Sequence, residues 1–227
     1  MYVLGIDTST LTGGVALLED GKLVGESVLN IRTTHSERLL PALEALLDQA
    51  GLVVQDLNGI AVVTGPGSFT GLRIGVATAK GLAYALDHSL VGTTTLAAYG
   101  WQFQYFPGDV ISLIDARREQ VYWQVFRDGQ ALNQPEHGPL TDVYTYCGGV
   151  NQACLFVGDG ALAYAERILE HVPDAVFPSA ALALLRPSAV AHLGYIRLLQ
   201  GEISDAFELN PTYMRKTEAE LKWQEKR

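Results

Sequence analysis

Apolar and polar positions at the start of the chain follow a pattern typical of a β-hairpin. The first apolar run covers residues 3–6 and ends at Asp7, and a stretch rich in Thr, Ser and Gly follows over residues 8–14. A second apolar run, residues 15–18, leads to an Asp-Gly pair at positions 20–21. This pattern predicts a strand, a turn, a second strand and a tight Asp-Gly hairpin turn.

The same pattern occurs a second time. Another apolar strand ends at Asp115, and another Asp-Gly turn begins at Asp128. An offset of 108 residues separates Asp7 from Asp115 and Asp20 from Asp128. A strand end, an acid and a turn that recur together at one offset indicate a duplicated unit.

Two helices are predicted after the first hairpin. For the first, leucines from Leu39 to Leu47 recur at the spacing of an amphipathic helix, and Thr34 with Glu37 resembles a capping box. Pro41 predicts either a kink or the true first turn of this helix. The second helix is expected over residues 69–87.

The remaining elements follow the same alternation. An apolar strand over residues 59–63 precedes the second helix, and Ser68 is interpreted as the helix N-cap. In the second half, apolar residues 155–157 lead through a Gly-Asp-Gly turn to a helix predicted over residues 161–171. Helices that alternate with strands in both halves predict the α/β class, with helices packed on sheets.

The length of the chain, 227 residues, fits two small domains. We predict an N-terminal domain over residues 1–105 and a C-terminal domain over residues 106–227. The last helices of the chain could pack back on the first domain.

Small residues on the second helix form a stripe, because Gly71, Gly75, Ala79 and Ala83 are spaced four apart. One interpretation is close packing on the helix's own sheet. The other is a face reserved for another subunit, because this helix is apolar nearly all round. We predict a partner surface on the helices at 36–50 and 69–87, formed by His35, Leu39, Leu43, Gly71, Arg73, Gly75, Val76 and Ala79.

Composition and charge exclude several classes of protein. The net charge of −9 argues against autonomous binding to nucleic acid, although residues 215–227 carry a local excess of basic side chains. The two cysteines cannot form a disulfide framework. No signal peptide and no membrane span are expected, so a cytoplasmic location is predicted.

An acid that ends a strand before a Thr/Ser/Gly turn is how actin-like ATPases and sugar kinases hold a phosphate and its magnesium ion. The pattern here departs from that arrangement, because Ser9 replaces a glycine of the first turn and bulky Arg117 follows the second acid. A degenerate site is therefore favoured, and we predict no cofactor, with a weak or shared nucleotide as the open alternative. The candidate residues are Asp7, Thr8, Ser9, Asp115, Gly158 and Gly160.

Metal and hydrolase chemistry is not supported by the spacing of the residues. The five histidines never pair at metal-ligand spacing, and Leu39 stands four residues after His35. Residues 65–71 form neither a Walker A loop nor a nucleophile elbow. We predict no metal site and no catalytic residue.

Several segments resemble a known family. The sequence GPGSFTGLRIG at residues 65–75, LGIDTS at residues 4–9 and THSERLLP at residues 34–41 are similar to the tRNA threonylcarbamoyladenosine biosynthesis protein TsaB family, also called YeaZ. Pro211 and the residues at 213–215 resemble the tail of that family. The resemblance implies two tandem actin-like (ASKHA, ribonuclease H-like) domains and a bacterial cytoplasmic protein that supports modification of the adenosine beside the anticodon.

The resemblance also implies partners. In that family the paralogue TsaD carries an H-x-x-x-H metal site and transfers the threonylcarbamoyl group, TsaB pairs with it through its first two helices, and the ATPase TsaE joins them. Leu39 stands where the second metal histidine would be, so we expect a non-catalytic subunit that meets tRNA only through the complex and has no membrane partner. A homodimer is allowed when the partner is absent.

Two other functions compete with the role of a partner subunit. One is a small actin-fold ATPase or phosphotransferase that uses Asp7 and Asp115. The other, a metalloprotease, is suggested by the historical naming of the broader family, but the chain has no H-E-x-x-H sequence.

Overall fold

The structure is a computed structural model that describes residues 1–30 and 35–212. Its strands are β1 (Tyr2–Asp7), β2 (Thr12–Glu19), β3 (Lys22–Asn30), β4 (Gly59–Gly65), β5 (Ser89–Thr94), β6 (Asp109–Asp115), β7 (Gln120–Arg127), β8 (Gln130–Ala131), β9 (Glu136–Pro139) and β10 (Cys154–Val157). Its α-helices are α1 (His35–Ala50), α2 (Phe69–Leu86), α3 (Thr95–Gln102), α4 (Leu140–Gly148), α5 (Asp159–Ala163), α6 (Ala165–His171) and α7 (Pro187–Leu199). A short 3-10 helix spans Val54–Asp56.

The first sheet has the strand order β3-β2-β1-β4-β5. Strand β1 runs antiparallel to β2 and parallel to β4, which is itself parallel to β5. Every residue of β4 is buried, as are Val3 to Asp7 in β1. Strands buried on both faces read as continuous apolar runs rather than alternating ones, which explains the sequence pattern.

The second sheet repeats the first. Strand β6 runs antiparallel to β7 and parallel to β10, as β1 does to β2 and β4. Strands β2 and β7 begin and end at positions that differ by the offset of 108 residues found in the sequence. The predicted duplication is therefore confirmed for the hairpin.

The predicted Asp-Gly turns connect β2 to β3 in the first sheet and β7 to β8 in the second. Asp20 and Gly21 have φ angles of 47° and 79°, and Asp128 and Gly129 have 50° and 74°. Two successive left-handed residues define the type I′ turn that matches the twist of a hairpin, and Asp-Gly is a preferred pair for it.

The two helices of the first half lie where they were predicted. Ser68 caps α2, since its hydroxyl oxygen accepts a 3.2 Å hydrogen bond from the backbone N–H of Gly71. Pro41 lies inside α1. The capping box predicted for α1 includes Thr34, which lies outside the described residues. The single helix predicted over 161–171 is two helices, α5 and α6, with a break at Tyr164.

Helix α7 packs on the first sheet, although it follows both sheets in the chain. Gly5 of β1 lies under Ala191, and Gly194 of α7 lies over Ala61 of β4, so closely that a Cβ at either glycine would collide with its neighbour. An apolar cluster that includes Val3 and Ala61 of the first sheet continues through α3 and α7 to β6 and β7 of the second. The domain boundary between residues 105 and 106 stays a prediction.

In the part of the chain that the structure describes, no helix is both long enough and apolar enough to cross a bilayer.

Candidate functional site

A cleft of about 670 Å³ lies where the turn after β1 and the turn after β6 meet the start of α2. The two turns come from equivalent positions of the duplicated hairpin, so the sequence repeat places them at one site. Side chains from both turns and from the start of α2 line the cleft, among them Ser9, Thr10, Ser68, Thr70, Asp115, Arg117 and Asp159.

Asp7 ends β1 beneath this cleft and is fully buried. Its Oδ1 accepts hydrogen bonds from the backbone N–H of Ser9 at 2.9 Å and from the Ser9 hydroxyl at 2.7 Å. Its Oδ2 is buried without a hydrogen-bond partner in the described residues. The first turn thus folds onto its own acid, and the polar groups of Ser9 point at the carboxylate instead of at a phosphate.

Helix α2 starts directly on top of the first turn. The backbone N–H of Ser68 donates a 2.6 Å hydrogen bond to the carbonyl of Ser9, and the Thr8 hydroxyl donates a 2.8 Å bond to the carbonyl of Gly71. A Cβ on Gly67 or Gly71 would collide with the carbonyl oxygens of Ser9 and Thr8. The glycines of this segment are therefore required by close approach of two backbones.

His35 joins the start of α1 to the same turn. Its Nε2 donates a 2.7 Å hydrogen bond to the carbonyl of Thr10, and burial lowers the pKa of the ring. A Cβ on Gly13 would collide with the imidazole, and one on Gly71 would press against it. His35 therefore holds α1, the first turn and α2 together.

The second turn is built differently from the first. Asp115 ends β6, and its Oδ1 accepts hydrogen bonds from the backbone N–H of Arg117 at 2.8 Å and from the Tyr164 hydroxyl at 3.0 Å. Arg117, Arg118 and Glu119 all have positive φ angles, of 68°, 54° and 62°. Left-handed backbone is uncommon for residues other than glycine, so this turn is a strained feature at the rim of the cleft.

The glycines at 158 and 160 have a structural explanation. Gly158 has a φ of 102°, and a Cβ there would collide with the carbonyl oxygen of Leu113 in β6. A Cβ on Gly160 would lie 3.0 Å from the backbone N of Asp115. Close packing of α5 on β6 therefore accounts for both glycines, and a role in admitting adenosine stays a prediction.

Asp159, which sequence reasoning did not select, belongs to the site. Its Oδ1 accepts a 3.1 Å hydrogen bond from the backbone N–H of Asp115. Burial raises the pKa of Asp159 to about 6, and burial likewise raises that of Asp7 to about 6 against the opposing effect of the Ser9 hydrogen bonds. The signal that could have found Asp159 is an acid inside a glycine turn directly after a strand.

These contacts do not fit a magnesium nucleotide held as in actin-like ATPases. The donors of the first turn are engaged by Asp7, whose carboxylate is buried beneath the cleft rather than lining it. Asp115, the acid of the second turn, lines the cleft but is already bonded to Arg117 and Tyr164. Across residues 1–30 and 35–212, no group of three or more His, Cys, Asp or Glu side chains is arranged to hold a metal ion.

The chain is similar to known proteins over most of its length. The family model described as TsaD: tRNA N6-adenosine threonylcarbamoyltransferase matches residues 23–223. The tRNA threonylcarbamoyladenosine biosynthesis protein TsaB of Bacillus subtilis is 34% identical over 228 residues, which cover 98% of each chain. The chain belongs to the TsaB family.

Solved structures support the assignment to the TsaB family and its fold. YeaZ from Pseudomonas aeruginosa superimposes with a TM-score of 0.77 at 28% identity, over 94% of this chain and 99% of that one. Component A of (R)-2-hydroxyglutaryl-CoA dehydratase from Acidaminococcus fermentans has a TM-score of 0.55 at 12% identity, over 88% of this chain and 99% of that one, and shows the fold alone. The predicted α/β architecture of actin-like (ASKHA) type is confirmed.

The structure corrects the partner surface predicted for this member of the TsaB family. The small-residue stripe of α2 faces the chain's own sheet, because a Cβ on Gly75 would collide with the Thr8 hydroxyl. Six of the residues predicted to face a partner are instead buried within the chain, so that prediction was wrong for them. They are Leu39, Leu43, Gly71, Gly75, Val76 and Ala79. His35 is half-buried against Thr10, and Arg73 is exposed.

A different face of α2 is exposed. Its residues are Phe69, Arg73, Ala77, Gly81 and Tyr84, which we call the α2 outer face. The Arg73 guanidinium stacks over the Phe69 ring at 3.7 Å from its centroid, and Tyr84 is 69% exposed. The face therefore combines aromatic and small residues with one arginine on the exposed side of the helix, and of these residues only Arg73 was among those predicted for the interface.

Proposed function

We propose that this chain is the non-catalytic partner subunit of a TsaD-type threonylcarbamoyltransferase in tRNA threonylcarbamoyladenosine biosynthesis. The observation that carries the proposal is the end-to-end similarity to TsaB, which covers 98% of both chains. The match of residues 23–223 to the TsaD family model supports association with such a complex.

A non-catalytic role is supported by the contacts of the two turns. Ser9 donates its hydrogen bonds to Asp7, and Asp115 receives its bonds from Arg117 and Tyr164. These groups are therefore paired within the chain, although Asp7 Oδ2 has no hydrogen-bond partner in the described residues. In an actin-like ATPase the corresponding turns contact the nucleotide. Here their polar groups form hydrogen bonds within the chain, which is consistent with a scaffold.

The surface proposed for the transferase is the α2 outer face, joined by exposed Leu40 of α1. Neighbouring helices α1 and α2 offer a helix-packing surface, and ridge-into-groove packing favours small residues such as Ala77 and Gly81 at a close crossing. A second copy of the chain would occupy the same surface when the transferase is absent. A TsaE-type ATPase then joins the assembled pair, in the cytoplasm where tRNA is modified.

The proposal is tested by depletion and rescue. In cells depleted of this chain, we expect mass spectrometry of tRNA nucleosides to show loss of threonylcarbamoyladenosine, and the full chain to restore it. The tagged chain should co-purify with TsaD from the same cells. Unchanged threonylcarbamoyladenosine in depleted cells would contradict the pathway assignment.

A second arm separates the scaffold from the rival ATPase or phosphotransferase, which the cleft between two acid-ended strands favours. The variant Asp115→Asn keeps an acceptor for Arg117 and Tyr164 but removes the charge. Rescue by this variant is expected if the chain is a scaffold. Loss of rescue with an intact TsaD complex would favour the rival.

A further inference from the structure

The two cysteines of the chain lie in one apolar cluster, although seven positions separate them in sequence. Cys147 is near the end of α4, and Cys154 is the first residue of β10. Both line one surface cavity, and both belong to the apolar core of the second sheet. Neither thiol is in a disulfide. No role in the proposed function uses this pair.

A polar clamp beside the cysteines fixes their positions. Fully buried Asp109 accepts through Oδ2 a 2.7 Å hydrogen bond from the Tyr146 hydroxyl and a 2.8 Å bond from the Gln152 side chain. Its Oδ1 accepts a 2.8 Å bond from Arg127 Nε. Tyr146 adjoins Cys147 in sequence. The Cys154 thiol donates a weak hydrogen bond to the backbone carbonyl of Gln152. The clamp therefore holds the end of α4 against the start of β10, and with them the two thiols.

The pair lines a surface cavity. A surface cavity of about 500 Å³ is lined by both cysteines and by the loop that connects them. Cys147 is 8% exposed and Cys154 is 4% exposed. Both residues are buried, so we expect a small oxidant to reach the sulfurs from the side of this cavity.

The two thiols differ in acidity because of their mutual hydrogen bond. The bond from Cys147 lowers the pKa of Cys154, against the opposing effects of burial and of Asp109. The same bond, together with burial, raises the pKa of Cys147. Since the thiolate is the nucleophile in thiol oxidation, Cys154 is the residue that reacts first.

We propose that Cys147 and Cys154 form a dithiol modification site that closes to an intrachain disulfide when the chain meets a hydroperoxide. Cys154 attacks the O–O bond of hydrogen peroxide, forms Cys154 sulfenic acid and releases hydroxide. The Cys147 sulfur then attacks the sulfenic sulfur, a disulfide bond forms, and water leaves. In total, two thiols and one peroxide give one disulfide and two waters. The two sulfurs are oxidised and the peroxide oxygens are reduced.

The test uses the purified full chain treated with hydrogen peroxide and analysed by intact mass spectrometry. We expect a mass decrease of two hydrogen atoms, loss of both titratable thiols, no covalent dimer, and reversal by dithiothreitol. Because the chain contains two cysteines, the product is unambiguous. Covalent dimers, stable oxygen adducts on the wild-type chain, or retention of both thiols under conditions that oxidise a control dithiol would overturn the proposal.

Three variants test the order of events and the clamp. Cys147→Ser is expected to accumulate a sulfenic acid on Cys154 that dimedone traps, and Cys154→Ser to leave Cys147 unmodified over the same exposure. The opposite pattern would overturn the assignment of the attacking residue. Tyr146→Phe removes one bond to Asp109, and we expect severalfold slower disulfide formation, with circular dichroism confirming the fold. The wild-type result does not depend on any variant folding, and none of these readouts requires TsaD or tRNA.

Discussion

The side chain of Thr8 lies against Gly75 of α2, so closely that a Cβ at position 75 would overlap with the Thr8 hydroxyl oxygen. The same hydroxyl donates its hydrogen bond to the carbonyl of Gly71, one turn earlier in the helix. The turn after β1 and the start of α2 are therefore fitted to each other. The small residues of α2 serve this fit within the chain.

Two glycines of α2 give a matched test of that fit. Gly75→Ala should lower the free energy of unfolding by about 1–3 kcal/mol, because the added methyl overpacks the contact with Thr8. Gly81→Ala should raise it by about 0.5–1 kcal/mol, because nothing lies within 4 Å of its Cβ position and alanine is the better helix former. Urea unfolding followed by circular dichroism measures both. Equal effects of the two substitutions would contradict the packing described for Gly75.

The stripe on α2 shows what sequence spacing can and cannot predict. A spacing of four places Gly71, Gly75 and Ala79 on one face of a helix, and this face is real. What the face contacts depends on Thr8, which lies more than sixty positions earlier in the chain. Two interpretations were open from the sequence, and packing on the chain's own sheet is the one that the structure shows.

Local signals predicted the hairpins, because each Asp-Gly turn and the two strands that it joins are adjacent in the sequence. The same reasoning could not predict that α7 covers the first sheet, since that contact joins Ala191 to Gly5 across most of the chain. Asp7, which lies beneath the cleft, was predicted as a site residue because it stands at the end of a strand. Its burial, and its two bonds from Ser9, follow from how α2 closes over the turn.

The α2 outer face is tested by a charge placed at Ala77, which is exposed. We expect Ala77→Glu to abolish co-purification with TsaD while changing the free energy of unfolding by less than about 0.5 kcal/mol, as is usual for a surface substitution. Size-exclusion chromatography and thermal melting measure the two effects. Undiminished association of this variant with TsaD would rule out this face as the interface.

Two controls locate the effect of Ala77→Glu. Ala79→Glu, two residues along the same helix, should unfold the chain, because Ala79 is fully buried and an unpaired buried carboxylate costs several kcal/mol. Leu162→Glu places the same charge at an exposed position of α5 and should leave both the fold and the association unchanged.

The buried carboxyl of Asp7 makes stability depend on pH in a stated direction. Its pKa is raised to about 6 by burial, so between pH 4 and 6 the folded chain binds more protons at this position than the unfolded chain. The free energy of unfolding therefore falls as pH rises through this window. A shift of about two pKa units corresponds to a cost of about 3 kcal/mol for the charged form.

Asp7→Asn removes that charge and keeps an acceptor for Ser9, but its amide NH₂ lacks a partner and offsets part of the gain. We expect the variant to be more stable than the wild type by about 1–2 kcal/mol at pH 8, and we expect this difference to fall by about 3 kcal/mol, and so to change sign, as the pH is lowered to about 4. Urea unfolding across this pH range measures it. Glu44→Gln, at an exposed position of α1, is the control and should show no such dependence. A variant less stable than the wild type at pH 8 would show that the Asp7 carboxylate is favourably held.

Binding of magnesium ATP decides whether the cleft retains a nucleotide function. The donors of Ser9 are committed to Asp7, and Asp115 accepts hydrogen bonds from Arg117 and Tyr164, so we expect no heat of binding by calorimetry at micromolar nucleotide. A ligand present at a hundred times its Kd would stabilise the fold by about 2.7 kcal/mol, so a thermal shift provides a second readout. Removing a charge should, if anything, ease the approach of phosphate, so Asp115→Asn is the informative variant. Micromolar binding by the wild type that disappears in Asp115→Asn would mean that the carboxylate positions a cation for the nucleotide, and the scaffold proposal would then give way to the ATPase.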